Sequence, residues 1–240
     1  MKHICCKTCL IALFLSVVGG QVIAQASPDT TRTKKRVTLL LPDGRVLPHD
    51  KWDSLEQAWG KGRIAFIHNA EDDAKGVLHL TRQTDEAIRQ MEEEGALQKR
   101  RFDSLMNKQA PEFSLADMHG KKWTLKELRN RVVVLNFWFT SCTPCIKEMP
   151  DLNLLVKQYQ PKDVVFLALT FNKADEVNKF LQQRTFNYVQ LPDSRVVNTK
   201  YLVNSYPTSM VIDKKGVIRT IIQSSPEVRK ILGASIEALL

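Results

Sequence analysis

The chain has 240 residues, 43% of them apolar and 25% charged, which excludes a disordered or fibrous protein and leaves room for one sizeable domain plus a smaller module. Its net charge of +9, with basic clusters at residues 32–36 and 99–101, fits a solvated basic surface and raises an acidic partner or an anionic membrane face as an alternative. No basic stripe is interleaved with aromatic residues, so nucleic-acid binding is not expected.

Residues 1–24 read as a secretory signal peptide. Lys2, His3 and Lys7 make a basic start, residues 10–18 an apolar core, and Gly19-Gly20 with Val22-Ile23-Ala24 a small-residue exit, with cleavage expected after Ala24 or Ala26. The apolar core falls short of the roughly 20 residues that span a bilayer, an uncleaved anchor being the alternative. Cys5, Cys6 and Cys9 precede the apolar run, where a lipoprotein cysteine would follow it. Loss of Lys2 and Lys7 leaves a mature charge of +7, and Cys142 and Cys145 as the mature cysteines. Export implies the periplasm or cell envelope, where disulfides form. A thiol pair with no other disulfide framework to support is there for redox or for nothing.

Residues 25–82 are expected to form a small β-rich or α+β module. A strand over 37–41 meets the turn signal Pro42-Asp43-Gly44, and Trp52, Leu55 and Trp59 give a helix over 51–59. Strands follow over 63–68 and 77–81, with a turn-like segment over 71–76. Trp52 and Trp59 read as core. His49, His68 and His79 are spaced by 19 and 11 residues, which matches no local metal-ligand motif. Residues 83–109 read as a charged helical linker, weakened midway by Gly95.

Within residues 110–240, the run 132–139 is nearly all apolar, as in a strand buried on both faces. It leads into Cys142-Thr-Pro-Cys145 and a helical pattern continuing to about Tyr159. A thiol at a helix start is favoured as a thiolate by the unpaired N–H groups there. Cys142, which must be accessible, is therefore the expected nucleophile and Cys145 the resolving thiol. A zinc half-site lacks a second Cys or His pair, and haem attachment would need His where Ile146 stands. Further on, a strand over 164–170, a helix over 173–183, a short strand over 187–190 and a short helix over 196–202 precede a hairpin and a closing helix over 226–240. Strands joined through helices and then an antiparallel pair give an α/β fold with a mixed central sheet flanked by helices.

CTPCIKEMP, residues 142–150, resembles the thioredoxin superfamily and within it the TlpA/ResA-type thiol–disulfide oxidoreductases, which carry C-x-x-C-x-x-E-x-P. Residues 110–128, with Ala110-Pro111-Glu112-Phe113-Ser114-Leu115 and a Thr124/Glu127 capping box, resemble the start of the TlpA/ResA and AhpC/TSA branches: a small hairpin and a short helix. The resemblance implies a thioredoxin-like fold over 110–240. It also implies a redox-active Cys142–Cys145 disulfide with no other cofactor, protein thiol or disulfide substrates, and a membrane electron donor. Asn136 stands where thioredoxins carry a buried Asp, so the acid–base duty passes to Glu148, expected to have a raised pKa from partial burial. Pro150 matches the kink proline, and Pro207 the cis-proline, flanked by Tyr206 and Thr208 as substrate contacts. Ser141 replaces the Trp usual before the first Cys, and Tyr206 is bulkier than is common. The competing functions are a thiol peroxidase, for which the proline upstream of a peroxidatic Cys is missing, and a non-catalytic binding module built on the same fold.

Overall fold

The computed structural model describes residues 37–67 and 70–240; the expected signal peptide, His68 and the cluster at 32–36 lie outside the described residues. The chain divides into two units, one ending at Thr84 and one running from Asp85 to Leu240.

In the first unit, β1 (Thr38–Leu40), β2 (Val46–Leu47), β3 (Ile64–Ile67) and β4 (Val77–Arg82) form a sheet in the order β2-β1-β4-β3. The β1–β4 pair is parallel and the others antiparallel. Helix α1 (Trp52–Trp59) brings Leu55 onto Leu39, Leu47 and Leu80, with Trp52 and Trp59 packed against that core as expected. The segment expected to be a turn is instead a helix, α2 (Ala70–Lys75). A Glu71–Lys75 ion pair one turn apart (2.6 Å) supports it, and Gly76 at φ 71° ends it. His79 lies 3.4 Å from Asp72.

In the second unit, the stretch expected to be a linker is one 21-residue helix, α3 (Asp85–Leu105). Gly95 does not break it. Its later half is seated in this unit: Phe102 is buried beside Ala110 and Phe113, and Gln98 Nε2 donates to the Leu202 carbonyl at 2.8 Å. Phe102 is one of the apolar anchors legible in this charged stretch. Next comes the expected hairpin, β5 (Ser114–Ala116) with β6 (Lys122–Thr124); Thr124 Oγ1 accepts the Glu127 N–H at 3.3 Å and donates to Glu127 Oε2 at 2.7 Å, a side-chain pair in place of the expected reciprocal capping box.

The main sheet has the order β11-β10-β7-β8-β9, from β7 (Val132–Trp138), β8 (Val164–Thr170), β9 (Val189–Leu191), β10 (Thr208–Ile212) and β11 (Ile218–Gln223). Strands β7, β8 and β9 are parallel; β10 runs antiparallel to β7, and β11 to β10. Every residue of β7 and β8 is buried. Alternation explains why an unbroken apolar run is needed. Val132, Val134 and Trp138 pack on one face with α4 (Thr143–Tyr159), α5 (Ala174–Leu181) and α7 (Val228–Glu237). Val133, Leu135 and Phe137 pack on the other with α3 and α6 (Arg195–Lys200). Each large side chain so buried contributes about 1.5–3 kcal/mol, so the sheet is a stiff platform. The loops at the C-terminal end of β7 and β8 and the N-terminal end of β10 are presented from it.

Candidate active site

The loop after β7 is tied down before the cysteines arrive. Thr140 N–H donates to Asn172 Oδ1 at 2.9 Å, and Cys142 N–H donates to the Phe139 carbonyl at 3.1 Å. Cys142 is then the N-cap of α4, and its sulfur accepts the Cys145 N–H at 3.2 Å. Pro144 sits in the first turn, where its missing N–H costs nothing. Cys142 and Cys145 are joined in a disulfide. The sequence asks for an accessible Cys142, but in this disulfide form the residue is 4% exposed and Cys145 2%. The contact surface around them comes instead from exposed Ser141, Thr143 and Pro144.

Glu148 follows one turn later, 8% exposed, with Oε1 accepting the Ser225 N–H at 2.8 Å. Burial pushes its carboxyl above the ordinary range; the Ser225 N–H pulls the other way and Asp151 adds to the rise. Beside it lies a cavity of about 270 Å3 lined by Pro144, Lys147, Glu148, Asp151 and residues 224–226. A larger cavity, about 590 Å3, runs along α4 and α7 and is lined by neither cysteine. Helix α4 continues through Pro150 to Tyr159.

Asn136 is buried and donates to Ser209 Oγ at 3.0 Å, so this position holds a neutral hydrogen-bonded pair. The Tyr206-Pro207 bond is cis. Strand β10 pairs Thr208 with Phe137, which brings Tyr206-Pro207 to the end of the sheet from which the cysteine loop leaves. Tyr206 is half-buried and at the surface. Thr208, expected as a substrate contact, is fully buried with its hydroxyl donating to the Ser205 carbonyl at 2.8 Å, so its side chain faces inward. Sequence reasoning missed Ser225, which caps Glu148, and Tyr188. The latter's buried phenol is pushed above its ordinary range by burial and by the charge of Glu148.

Comparison with known proteins gives the family and the fold. The AhpC/TSA family profile matches residues 106–221. Thioredoxin-like protein YneN of Bacillus subtilis is 39% identical over 117 residues, covering 47% of this chain and 68% of that protein. The chain belongs to the thioredoxin-like thiol–disulfide oxidoreductases. ResA of Bacillus thuringiensis, a thiol–disulfide oxidoreductase, is 40% identical over 115 residues, spanning 47% of this chain and 66% of ResA. Among solved structures, one described as a thiol:disulfide interchange protein, DsbE, from Chlorobium tepidum is 26% identical with a TM-score of 0.53. It covers 56% of this chain and 96% of that one. The thioredoxin-like fold of this oxidoreductase chain is thus shared with its relatives, whereas its first unit lies outside the family match.

Proposed function

We propose that this protein is an exported oxidoreductase that reduces disulfides of specific envelope proteins through a Cys142/Cys145 dithiol. One observation carries the reading: the two cysteines are paired at the N-terminus of a helix whose Cys145 N–H already points at the Cys142 sulfur. That donor and the helix dipole favour a thiolate on Cys142 once the pair is reduced. The Cys142 thiolate attacks one sulfur of the substrate disulfide, and the other leaves as a thiolate. Cys145 then gives up its proton and attacks Cys142 in the mixed disulfide, expelling the second substrate thiol. The substrate gains two electrons and two protons, and the Cys142–Cys145 disulfide remains, to be reduced by an external dithiol donor at the membrane. Glu148 is the candidate acceptor of the Cys145 proton, and Tyr206 and the backbone at Pro207 and Thr208 the candidate substrate contacts. The apolar run at residues 10–18 supports export. No helix among the described residues is long and apolar enough to cross a membrane.

Replacing Cys145 with Ser in the exported protein tests the reading. Mixed disulfides trapped through Cys142 support it and identify the substrates. An absence of trapped partners, with no dithiol reductase activity in the wild type, would sink it in favour of a binding module. The AhpC/TSA match favours a peroxidase as the second reading; peroxide consumption dependent on Cys142 would decide for it.

A further inference from the structure

Three strand ends meet beside the cysteine loop, and an aromatic residue lies just beyond each. Strand β7 pairs Trp138 with Thr170 of β8, so the next residues, Phe139 and Phe171, fall side by side. On the other side β10 pairs Thr208 with Phe137, and running that register outward sets Tyr206 opposite Phe139. The rings follow the register. Phe139 and Phe171 stack with centroids 5.4 Å apart, and Tyr206 meets Phe139 edge-on at 5.4 Å and Phe171 at 5.6 Å. All three are half-buried, with part of each residue at the surface.

The cluster is held from behind. Tyr206 OH accepts Asn198 Nδ2 at 3.0 Å, and Asn198 Oδ1 accepts Ser194 Oγ at 2.8 Å; Asn198 and Ser194 are buried. Arg195, on the same helix, sets its guanidinium 4.9 Å from the Phe171 ring centre. Phe139 is tied to the reactive pair itself, since its carbonyl accepts the Cys142 N–H. The residue before Cys142, Ser141, is small and exposed, so it supplies no ring surface itself.

We infer that Phe139, Phe171 and Tyr206 form a preorganised aromatic platform that selects substrate segments with an aromatic or large aliphatic side chain next to the reactive cysteine. The inference rests on the oxidoreductase reading and names the substrate class for it. The occupant is apolar because the rings present carbon surface, the Tyr206 oxygen already accepts the Asn198 amide, and the nearby guanidinium lies over a ring. Rings held in place lose little freedom when a substrate side chain packs on them, so the contact is not spent on ordering the site. Edge-to-face and stacked aromatic contacts contribute enough to change a rate about two- to tenfold.

The test uses the full chain in its reduced form and two otherwise identical peptides, each carrying a glutathione mixed disulfide on one cysteine, with Phe or Gly as its neighbour. Hydroxyethyl disulfide serves as a substrate with no side chain to dock. The wild type should reduce the Phe peptide about two- to tenfold faster than the Gly peptide. Phe139→Gly and Phe171→Leu should each bring that ratio towards one. Because the ratio compares two substrates on one preparation, a variant that is only partly folded still reports it. A ratio of one in the wild type, or a ratio unchanged in both variants, overturns the platform. No reduction of either peptide or of hydroxyethyl disulfide by the wild type overturns the oxidoreductase reading, and the platform with it.

Discussion

Ser225, on the loop leading into the last helix, donates its backbone N–H to Glu148 Oε1 at 2.8 Å, 77 residues away in the chain. The bond holds the carboxyl inside the protein, one turn beyond Cys145 on the same helix. A charged group so placed loses hydration that a single N–H does not fully replace. This explains why its pKa lies above the ordinary carboxylate range, which makes Glu148 a better proton acceptor than an exposed carboxylate.

Glu148→Gln should therefore slow the resolving step by about tenfold or more, read as accumulation of the mixed disulfide in single-turnover reduction. Stability should change with pH in a defined sense. The folded-state pKa is raised, so the contribution of Glu148 is present below its ordinary value of 4.5 and lost as pH rises through the folded value. Thermal melts across that window should show a fall in wild-type stability that the Gln variant, neutral throughout, lacks. Identical Cys145 reactivity profiles in the two proteins would remove Glu148 from the chemistry.

In the reduced protein, Cys142 should be alkylated about tenfold faster than Cys145 at neutral pH, because the helix start favours a thiolate on Cys142. Peptide mapping after brief exposure to iodoacetamide measures the ratio. Equal labelling would mean that the Cys145 N–H does not polarise the Cys142 sulfur as the disulfide form implies.

Much of this was legible in the chain because its signals were local. An all-apolar β7 marks a strand covered on both faces, and C-x-x-C at its exit marks the helix start. Thr124 and Glu127 stand three residues apart, and their side chains do pair. What escaped depends on partners distant in sequence. Phe102 in α3 was legible as an apolar anchor, but the burial of Gln98 against residues that follow the helix was not. Thr208 was expected beside the substrate from its adjacency to Pro207, but sheet alternation turns its side chain inward. The aromatic cluster needs the register of three strands, which no window of sequence contains.

Asn198 is the support through which Tyr206 is held. Asn198→Ala should cost about 1–3 kcal/mol, because it leaves the buried Ser194 hydroxyl without its acceptor and Tyr206 OH without its donor. Denaturant unfolding measures the loss. Tyr206→Phe removes only one end of the pair and should cost less, about 1 kcal/mol. A variant at Asn198 as stable as the wild type would show that the ring is held by packing alone.

Gly216 closes the β10–β11 turn at φ 78°, a conformation that a side chain disfavours by about 1–2 kcal/mol. A Cβ there would also overlap the guanidinium of Arg129, which donates to the Lys215 carbonyl and to Gln109 Oε1 (2.9 Å) and pairs with Glu112 at 3.0 Å. Gly216→Ala should thus destabilise the second unit by about 1–3 kcal/mol in denaturant unfolding. An unchanged midpoint and slope would show that the turn relaxes at no cost.

The same turn contains a carboxylate whose pH response runs opposite to that of Glu148. Asp213 Oδ1 accepts the N–H groups of Lys215 and Val217, both at 2.9 Å, and Oδ2 accepts Arg219 Nε at 2.8 Å. Burial alone would raise its pKa, but the Val217 N–H, the Arg219 guanidinium and the Lys215 N–H together outweigh it and hold the group below its ordinary value of 3.8. The sign follows: its stabilising contribution is present above 3.8 and is lost as pH falls through the lower folded value. Asp213→Asn keeps an acceptor for the two N–H groups but gives up the charge facing Arg219, a hydrogen bond of the charged kind worth about 1.5–3 kcal/mol. The variant should be less stable than the wild type at pH 7, and the difference should shrink towards zero as both are acidified from 3.8 through the lower folded value. Paired unfolding curves at neutral and acid pH measure it, and a gap that persists in acid would assign the loss to the shape of the turn instead of its charge.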